Sequence, residues 1–302
     1  MGNHPTEGLS LDEIARMSPY NYIPSQPVAI AMIALFAVST LMHTGQAIYH
    51  KTWFLLPTAV LCGCMEVLGW GARLWSHYQP LNSIPFQIQI TCTIIAPTPL
   101  LAATFIIFGR LIDRLGSIYS RLTPKQYAFL FLGCDLISLS IQAVGGGLAA
   151  TADKEKGEDP EVGGHIMLGG IAFQLFAITV FCICSGEYIW RYLKKRPFHK
   201  MTVPGQSTRG SLTNKLTFML AALTLSTFVL VIRSVYRTIE LIDGWNGTII
   251  STEWYFCVFD GSMIVIAIYL LNVVHPGIFL LGEDEGHTPE KYKLLSRSTL
   301  SV

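Results

Sequence analysis

Seven long apolar segments alternate with short polar segments along the chain. Each apolar segment has about 20 or more residues, which is the length that an α-helix needs to cross the hydrocarbon core of a membrane. Apolar runs of this length with so few charges predict membrane spans. We therefore predict an all-α integral membrane protein, a seven-transmembrane-helix bundle. The predicted helices cover residues 26–48, 53–75, 86–109, 127–149, 163–190, 213–238 and 254–281.

The predicted bundle, residues 26–281, leaves two polar tails, residues 1–25 and 282–302. The first apolar segment is too long for a secretion signal and has no basic segment before it, so we expect no cleaved leader. Within the third predicted helix, Pro97-Thr98-Pro99 contains two residues without a backbone N–H. A neighbouring helix can satisfy the freed carbonyl groups in a membrane. The three residues therefore predict a bend.

The basic residues of the loops and tails predict an orientation. Of the Lys and Arg residues in the loops, the tails and the helix ends next to them, 15 lie on the side of the C-terminal tail and 3 on the side of the N-terminal tail. Because basic loops remain in the cytosol, we expect an extracellular N-terminus and a cytosolic C-terminus. Asn246-Gly247-Thr248 is an N-glycosylation sequon on the side assigned as outside. We therefore expect glycosylation of Asn246 and a location in the plasma membrane or another secretory-pathway membrane.

Composition agrees with a membrane protein and narrows its partners. Charged residues make up 14% of the chain, whereas about 25% is usual in a soluble domain. The net charge of +1 argues against a general nucleic-acid binder, so membrane lipids are the expected surroundings. All seven cysteines fall within apolar segments, where we expect small buried side chains and not a disulfide framework or a metal site.

Four of the predicted helices carry polar or ionisable residues that a bilayer tolerates poorly. Such a residue at mid-depth costs about 2.5–3.5 kcal/mol or more, so it needs a partner, a water-filled cavity or a function. The spacing of these residues places each set on one face of its helix. We expect all four faces to point inward and to form a ligand site open to the outer half of the membrane. The candidate residues are Glu66, Arg73, Asp135, Gln142, Arg233, Arg237, Glu240, Glu253 and Asp260.

These candidates include five carboxylates and three guanidinium groups, a surplus of two negative charges if all are ionised. A polar cavity with surplus acid suits a cationic headgroup. In the alternative interpretation, Arg–carboxylate pairs only hold helices together. Arg73, Arg237, Glu240 and Glu253 lie shallow enough for that interpretation, because their charged ends can reach water.

Short motifs extend over the chain from residue 22 to residue 277. Together they resemble the fungal lipid-translocating exporter family, also called the resistance-to-aminocholesterol or RTA-like family. In chain order they are Tyr22-x-Pro24-Ser25; Glu66-x-x-Gly69-Trp70-x-x-Arg73; Ala96-Pro97 and Gly109-Arg110; Asp135, Gln142 and Gly145-Gly146-Gly147; Gly164, Gly169 and Gln174; Arg233-x-x-Tyr236-Arg237-x-x-Glu240; Gly244, Glu253, Tyr255 and Asp260; and His275-Pro276-Gly277.

The resemblance implies a seven-helix fungal membrane protein that exports amphipathic lipids or confers tolerance to them. Sphingoid long-chain bases, sterol-like toxicants and porphyrins are the substrates suggested across that family. The chain has no G-x-x-x-x-G-K-[ST] motif for binding nucleotide phosphates, and we expect no cofactor. We predict a transporter that is not an enzyme, whose ligand is lipophilic and cationic.

Two other functions fit the same pattern. A seven-helix receptor or stress sensor would bind a lipophilic ligand in the cavity and a cytosolic partner through the basic loop 191–212. An intramembrane lipid hydrolase of the alkaline-ceramidase type would need several His ligands for zinc. We expect no such metal site, because His43, His165 and His275 lie on separate predicted helices and no H-x-x-x-H occurs.

Overall fold

The computed structural model of the protein describes residues 10–151, 159–198, 210–244 and 247–280. Seven helices in these ranges are long and apolar enough to cross a membrane. The predicted fold class, an all-α protein with seven transmembrane helices, is confirmed, and the chain is a multi-pass membrane protein. Spans one to seven are Gln26–Tyr49, Trp53–Tyr78, Ser83–Leu115, Pro124–Ala149, Glu161–Leu193, Asn214–Asp243 and Glu253–Phe279.

The spans connect through short segments on two faces of the bundle. The N-terminal face contains residues 18–25, 79–82 and 247–252, and the opposite face, here called the basic face, contains residues 116–123 and 194–198. A short helix, Leu11–Met17, precedes the first span and begins with a capping box between Ser10 and Glu13. The sequon residue Asn246, residues 199–209 of the basic loop and residues 281–302 lie outside the described residues.

Side-chain caps begin several spans. The first backbone N–H groups of a helix have no partner within the helix and need an acceptor. Asn82 accepts from the N–H of Ile84 at the start of span three, and Thr213 accepts from the N–H of Leu216 at the start of span six. Asp159 has the same role before span five. These capping residues determine where the helices begin, which hydropathy alone does not predict.

Three spans contain interruptions of the regular α-helix. Span two begins with a 3-10 turn, Trp53–Leu55, which is followed by a π-helical turn, Leu56–Val60, that includes Pro57. Span three consists of two helices, Ser83–Ile95 and Pro97–Leu115, which meet at Ala96. Span seven contains a π-helical turn, Cys257–Gly261. Such turns are rare and are frequently found at functional sites.

Glycines bring spans four and five close together. A Cβ atom added at Gly145 would lie 2.4 Å from the backbone nitrogen of Met167, and one added at Gly163 would lie 2.3 Å from that of Ala149. Small residues allow membrane helices to approach until their backbones touch, and this contact supplies packing energy that lipid cannot. Spans four and five therefore form a tight pair beside the site described below.

An aromatic cluster fills the half of the bundle near the basic face. Phe181 of span five has its ring centroid 4.7 Å from that of Phe105 and 5.3 Å from that of Phe131. Phe108 and Tyr127 complete the cluster with edge-to-face contacts. Edge-to-face geometry is the arrangement that aromatic rings prefer. The cluster joins spans three, four and five.

Candidate functional site

Asp260 lies between two arginines of span six. Its Oδ1 atom is 2.9 Å from Nε of Arg233 and 3.3 Å from Nε of Arg237, and all three side chains are buried. The angles at these atoms are unsuitable for hydrogen bonds, so the contact is an ion pair held by charge. Coulombic attraction is strong here because little water screens it. The π-helical turn of span seven carries Asp260 into this position.

Glu66 of span two belongs to the same group of charges. Its side chain is completely buried, and the side chain of Trp70 on the same span lies beside its carboxyl group. Among charged groups, Asp260 and Arg233 act most strongly on this carboxyl group. The structure therefore brings Glu66, Arg233 and Asp260 together from three different spans.

Pro97 explains how Arg233 is anchored. Proline has no backbone N–H, so the carbonyl group four residues earlier, that of Thr93, lacks its helical partner. Arg233 donates a hydrogen bond of 2.6 Å from an η nitrogen to this carbonyl oxygen. Arg237 donates to the Thr93 hydroxyl at 3.4 Å. The interruption predicted at Pro97 thus provides the acceptor that holds span six against span three.

Arg237 extends the charged group toward the N-terminal face. Its η nitrogen donates to the carboxylate of Glu240 at 2.5 Å, and the Tyr236 hydroxyl donates to the other oxygen of Glu240 at 2.8 Å. Both charged side chains are buried. A continuous chain of contacts therefore runs from Arg233 through Asp260 and Arg237 to Glu240, and Glu66 interacts electrostatically with its deep end. We call Glu66, Arg233, Arg237, Glu240 and Asp260 the charge network.

Arg73 and Glu253 form a second ion pair closer to the N-terminal face. An η nitrogen of Arg73 is 2.9 Å from Oε1 of Glu253 and donates to the hydroxyl of Tyr22 at 2.7 Å. The guanidinium group also lies 4.9 Å from the ring centroid of Phe256 and 5.1 Å from that of Tyr20. An arginine surrounded in this way by aromatic faces is stabilised by cation–π attraction.

The segment before span one covers this second pair. The backbone N–H of Ser25 donates to Oε1 of Glu253 at 2.8 Å. Burial raises the pKa of Tyr22 to about 12, so its phenol stays neutral beside Arg73 near neutral pH. The Tyr22-x-Pro24-Ser25 motif therefore has a structural explanation, because it attaches the N-terminal segment to spans two and seven.

The two candidates on span four lie in different surroundings. Gln142 donates to the hydroxyl of Ser138 at 2.7 Å and to the side chain of Gln174 on span five at 3.3 Å. With Arg233 and Arg237, it lines a gap of only about 10 Å³. Asp135 is also buried, but in the described part of the chain no charged side chain acts on it. The structure therefore brings Gln142 to the charge network and leaves Asp135 outside it.

A cavity of about 180 Å³ opens beside the end of the charge network at the N-terminal face. Spans three, five and six form its walls. Arg237 and Glu240 line it together with Glu161, His165 and Asp243. We call this space the acidic cavity, because three carboxylates face one guanidinium group. It reaches two of the predicted site residues, whereas Glu66 and Asp260 lie deeper and do not line it.

Sequence reasoning missed Glu161, His165 and Asp243. Glu161 and Asp243 lie just beyond the predicted limits of the fifth and sixth helices, and both belong to the helices in the structure. His165 lines the acidic cavity, whereas the sequence suggested for it only the role of a metal ligand. Acidic residues in the terminal turns of two adjacent membrane helices are the signal that could have identified this rim.

Of the three histidines considered for a zinc hydrolase, two lie close together and the third lies at the other end of the bundle. His43 and His275 lie in the parts of spans one and seven near the basic face, whereas His165 lies near the N-terminal face. Within the described ranges, no group of three or more His, Cys, Asp or Glu side chains is placed to hold a metal ion.

Comparisons with known proteins connect this arrangement to a family. The profile described as "RTA1 like protein" matches residues 59–283, which include the whole charge network. The sphingoid long-chain base transporter RSB1 of Saccharomyces cerevisiae is 28% identical, over 87% of this chain and 74% of that protein. Protoporphyrin uptake protein 1 of the same yeast is 26% identical, over 84% of this chain and 90% of that protein. Protein RTM1 is 25% identical, over 82% and 88%. No solved structure gives a significant match.

Proposed function

Because the chain belongs to the RTA1-like protein family, we propose that it is a membrane transporter of amphipathic lipids with a cationic headgroup. The observation that carries this proposal is the acidic cavity, which connects through Glu240 to the buried charge network. Sphingoid long-chain bases are the substrate class that fits best, since their amine is protonated near neutral pH. The printed name of one relative supports the same class.

Charge also ranks the substrates suggested by the resemblance. A porphyrin that carries carboxylate groups would be repelled by Glu161, Glu240 and Asp243 at the cavity rim. A neutral sterol-like compound would gain nothing from these carboxylates. An ammonium group gains both Coulombic attraction and charge-assisted hydrogen bonds. We therefore place cationic lipids ahead of the other two classes.

The proposed mechanism couples binding to a change of ion pairs. In the structure Arg237 is close to two carboxylates, those of Glu240 and Asp260. An ammonium group that binds Glu240 competes with Arg237, which then interacts more strongly with Asp260. This exchange changes the contact between spans six and seven. A ligand shifts a conformational equilibrium only through such differential contacts.

Binding to the purified protein in lipid nanodiscs tests this function. A long-chain amino diol and its N-acetylated, uncharged analogue are compared on the wild type, on Glu240→Gln and on Glu187→Gln. Glu187 is the matched control, because it pairs with Arg121 and Arg191 near the basic face. A hydrogen bond to a charged group contributes about 1.5–3 kcal/mol. We therefore expect Glu240→Gln to bind the amine at least about tenfold more weakly.

Three results support the proposal when they occur together: the charged lipid is preferred, Glu240→Gln loses this preference, and Glu187→Gln retains it. Export of the same amine from cells should follow the same order. Equal binding of the charged and uncharged lipids by the wild type would refute the proposed substrate class. Normal affinity in Glu240→Gln would instead refute the assignment of the acidic cavity.

We further propose that the N-terminal face is the outer face, as the distribution of basic residues suggests. The sequon at Asn246 provides the test. Thr248→Ala removes the sequon, whereas Thr248→Ser keeps it. We expect a glycosidase-sensitive shift in gel mobility for the wild type and Thr248→Ser, and no shift for Thr248→Ala. The absence of any shift in the wild type, together with modification of a sequon introduced near Lys51, would reverse the orientation.

A further inference from the structure

A larger cavity lies next to the acidic cavity. It has a volume of about 450 Å³ and lies between spans three and four, within the 300–1,000 Å³ usual for ligand pockets. Phe86, Ile90, Ile94 and Leu139 contribute to its mainly apolar lining. It extends from Ser83 at the N-terminal face to Ile95, a distance of about 18 Å along a helix. One leaflet of the hydrocarbon core is about 15 Å deep, so this cavity has the length of a lipid chain.

Two glycines of the Gly145-Gly146-Gly147 motif keep this cavity open. A Cβ atom at Gly147 would have no neighbour within 4 Å, and one at Gly146 would meet only the sulfur of Met167 at 3.6 Å. Glycine costs about 1 kcal/mol relative to alanine inside a helix. Close packing accounts for glycine at position 145 but not at 146 or 147. At these two positions, the absence of a side chain keeps the neighbouring cavity free, and this explains why glycine is present there.

A single layer of side chains separates the two cavities. Ile90, Ile94 and Met167 line both. Between them lies the narrow gap that Ile94, Gln142 and Arg237 line. An amphipathic molecule needs a polar site and an apolar site in contact with each other, and only a layer of rotatable side chains stands between these two.

We propose that the larger cavity, called the chain cavity, holds the alkyl chain of the lipid whose ammonium group binds in the acidic cavity. This inference rests on the proposed function. Ala143 and Gly147 at its edge are exposed, so the chain can enter sideways from the membrane. Lipid tails are as apolar as a leucine side chain, and transfer of a chain from bilayer to cavity yields little affinity. The headgroup therefore supplies affinity, and the chain cavity determines which chain lengths fit.

Chain-length selectivity is consequently the decisive measurement. Amino diols with long and short alkyl chains are titrated onto the protein in nanodiscs, and the ratio of their Kd values is compared between variants. Gly147→Leu places a side chain in the chain cavity, and Leu139→Ala enlarges it. Gly186→Leu is the matched control. Its Cβ atom also meets nothing within 4 Å, and it lines a separate apolar cavity of about 350 Å³ near the basic face.

We expect Gly147→Leu to weaken binding of the long chain about tenfold and to leave the short chain unchanged. Leu139→Ala should shift the preference toward longer chains, and Gly186→Leu should behave as the wild type. An unchanged Kd ratio in both Gly147→Leu and Leu139→Ala would overturn the inference. So would an equal loss for both chain lengths, since that result indicates damage to the headgroup site.

Failure of the chain cavity and failure of the proposed function give different results. If the wild type binds none of the amines, the proposed function is wrong. If it binds them but no variant alters the ratio of the Kd values for long and short chains, only the assignment of the chain cavity is wrong. A bilayer phospholipid could also place a chain there. In that case Gly147→Leu would retain less copurified phospholipid in native mass spectrometry without changing the Kd ratio, which would contradict the inference.

Discussion

The bundle contains two buried clusters with very different side chains, one in each half. Near the N-terminal face, the charge network joins spans two, six and seven with carboxylates and guanidinium groups. Near the basic face, the aromatic cluster joins spans three, four and five with ring contacts. Rings gain from such contacts at little cost, whereas buried charges are expensive unless they are fully paired. The ring contacts therefore add to the stability of the bundle directly, whereas the charge network calls for an explanation other than stability.

Incomplete hydrogen bonding is a further feature of the charge network. Within the described part of the chain, neither carboxyl oxygen of Asp260 accepts a hydrogen bond, although its Oδ1 atom lies 2.9 Å from Nε of Arg233. A network selected only for stability would satisfy such atoms, because each unsatisfied buried group costs about 1–3 kcal/mol. Under the proposed mechanism, these oxygens are the ones that would gain new partners when the ion pairs rearrange.

The largest expected effect comes from removing Asp260. Asp260→Leu leaves Arg233 and Arg237 buried without their shared carboxylate, and breaking a buried pair in this way costs about 3–5 kcal/mol. We expect a strongly lowered midpoint of thermal unfolding in detergent and loss of amine export. The double variant Arg233→Met with Asp260→Leu should recover most of the stability but none of the export, because it replaces the pair with apolar side chains.

Milder variants complete this test of the charge network. Asp260→Asn and Glu66→Gln keep the shape of each side chain and remove only its charge or acidity. We expect both proteins to be produced and both to export poorly. Unchanged export in the two variants, or full export by the apolar double variant, would show that the charge network serves packing alone.

A substitution in the aromatic cluster should lower stability without changing the binding of the amine. Phe181→Leu removes edge-to-face contacts with Phe105 and Phe131, and each such pair contributes about 0.5–1.5 kcal/mol. We expect a loss of stability of about 2 kcal/mol and an unchanged Kd for the amine. Phe176→Leu on the same span is the control, since Phe176 is 65% exposed. A change of Kd in Phe181→Leu would contradict the separation of the two halves.

The N-terminal segment should show a smaller effect. Tyr22→Phe removes the hydrogen bond from Arg73 but keeps the ring beside it, and a typical net loss is about 1 kcal/mol. Tyr78→Phe is the control, because Tyr78 is exposed. The measurement is the difference in unfolding free energy between wild type and variant.

The pH dependence of that difference follows from the raised pKa of Tyr22. The ordinary value is 10.0 and the value in the folded protein is about 12. The unfolded chain therefore loses this proton first as the pH rises, and the contribution of the phenol is complete below pH 10 and lost through about pH 12. A difference that grew with pH in this window would contradict the assigned environment.

Hydropathy and helical spacing predict the membrane spans and the polar face of each helix, but they do not predict how the helices pack against one another. Seven apolar stretches suffice for the fold, because a membrane span has a required length. Spacing also places Glu66 and Arg73 on one helix face. It does not tell which faces meet: the closeness of Glu66 to Asp260 and the ion pair of Arg73 with Glu253 depend on how spans two and seven pack.

Two particular residues show why the candidate site was only partly predictable. Asp135 shares a helix face with Gln142, but seven residues separate them by about 10 Å along the axis. Only Gln142 reaches the depth of the charge network. Conversely, the contact of Arg233 with the carbonyl of Thr93 follows from Pro97, which frees the carbonyl four residues earlier. The sequence alone predicts a free carbonyl group at Thr93, whereas the structure was needed to show that Arg233 is its hydrogen-bond donor.

The smallest expected effect on stability comes from substituting Arg121, although this residue forms two short hydrogen bonds with Glu187. Arg121 binds Glu187 through two nitrogens, at 2.6 and 2.9 Å, and its side chain is 53% exposed. Arg191 also donates to Glu187, at 2.7 Å. Because water solvates an exposed guanidinium group almost as well as its partner does, we expect no resolvable change of the unfolding midpoint for Arg121→Gln. If this variant lost as much stability as Asp260→Leu, geometry and not burial would determine the strength of ion pairs in this protein, and the contrast between the two halves would no longer hold.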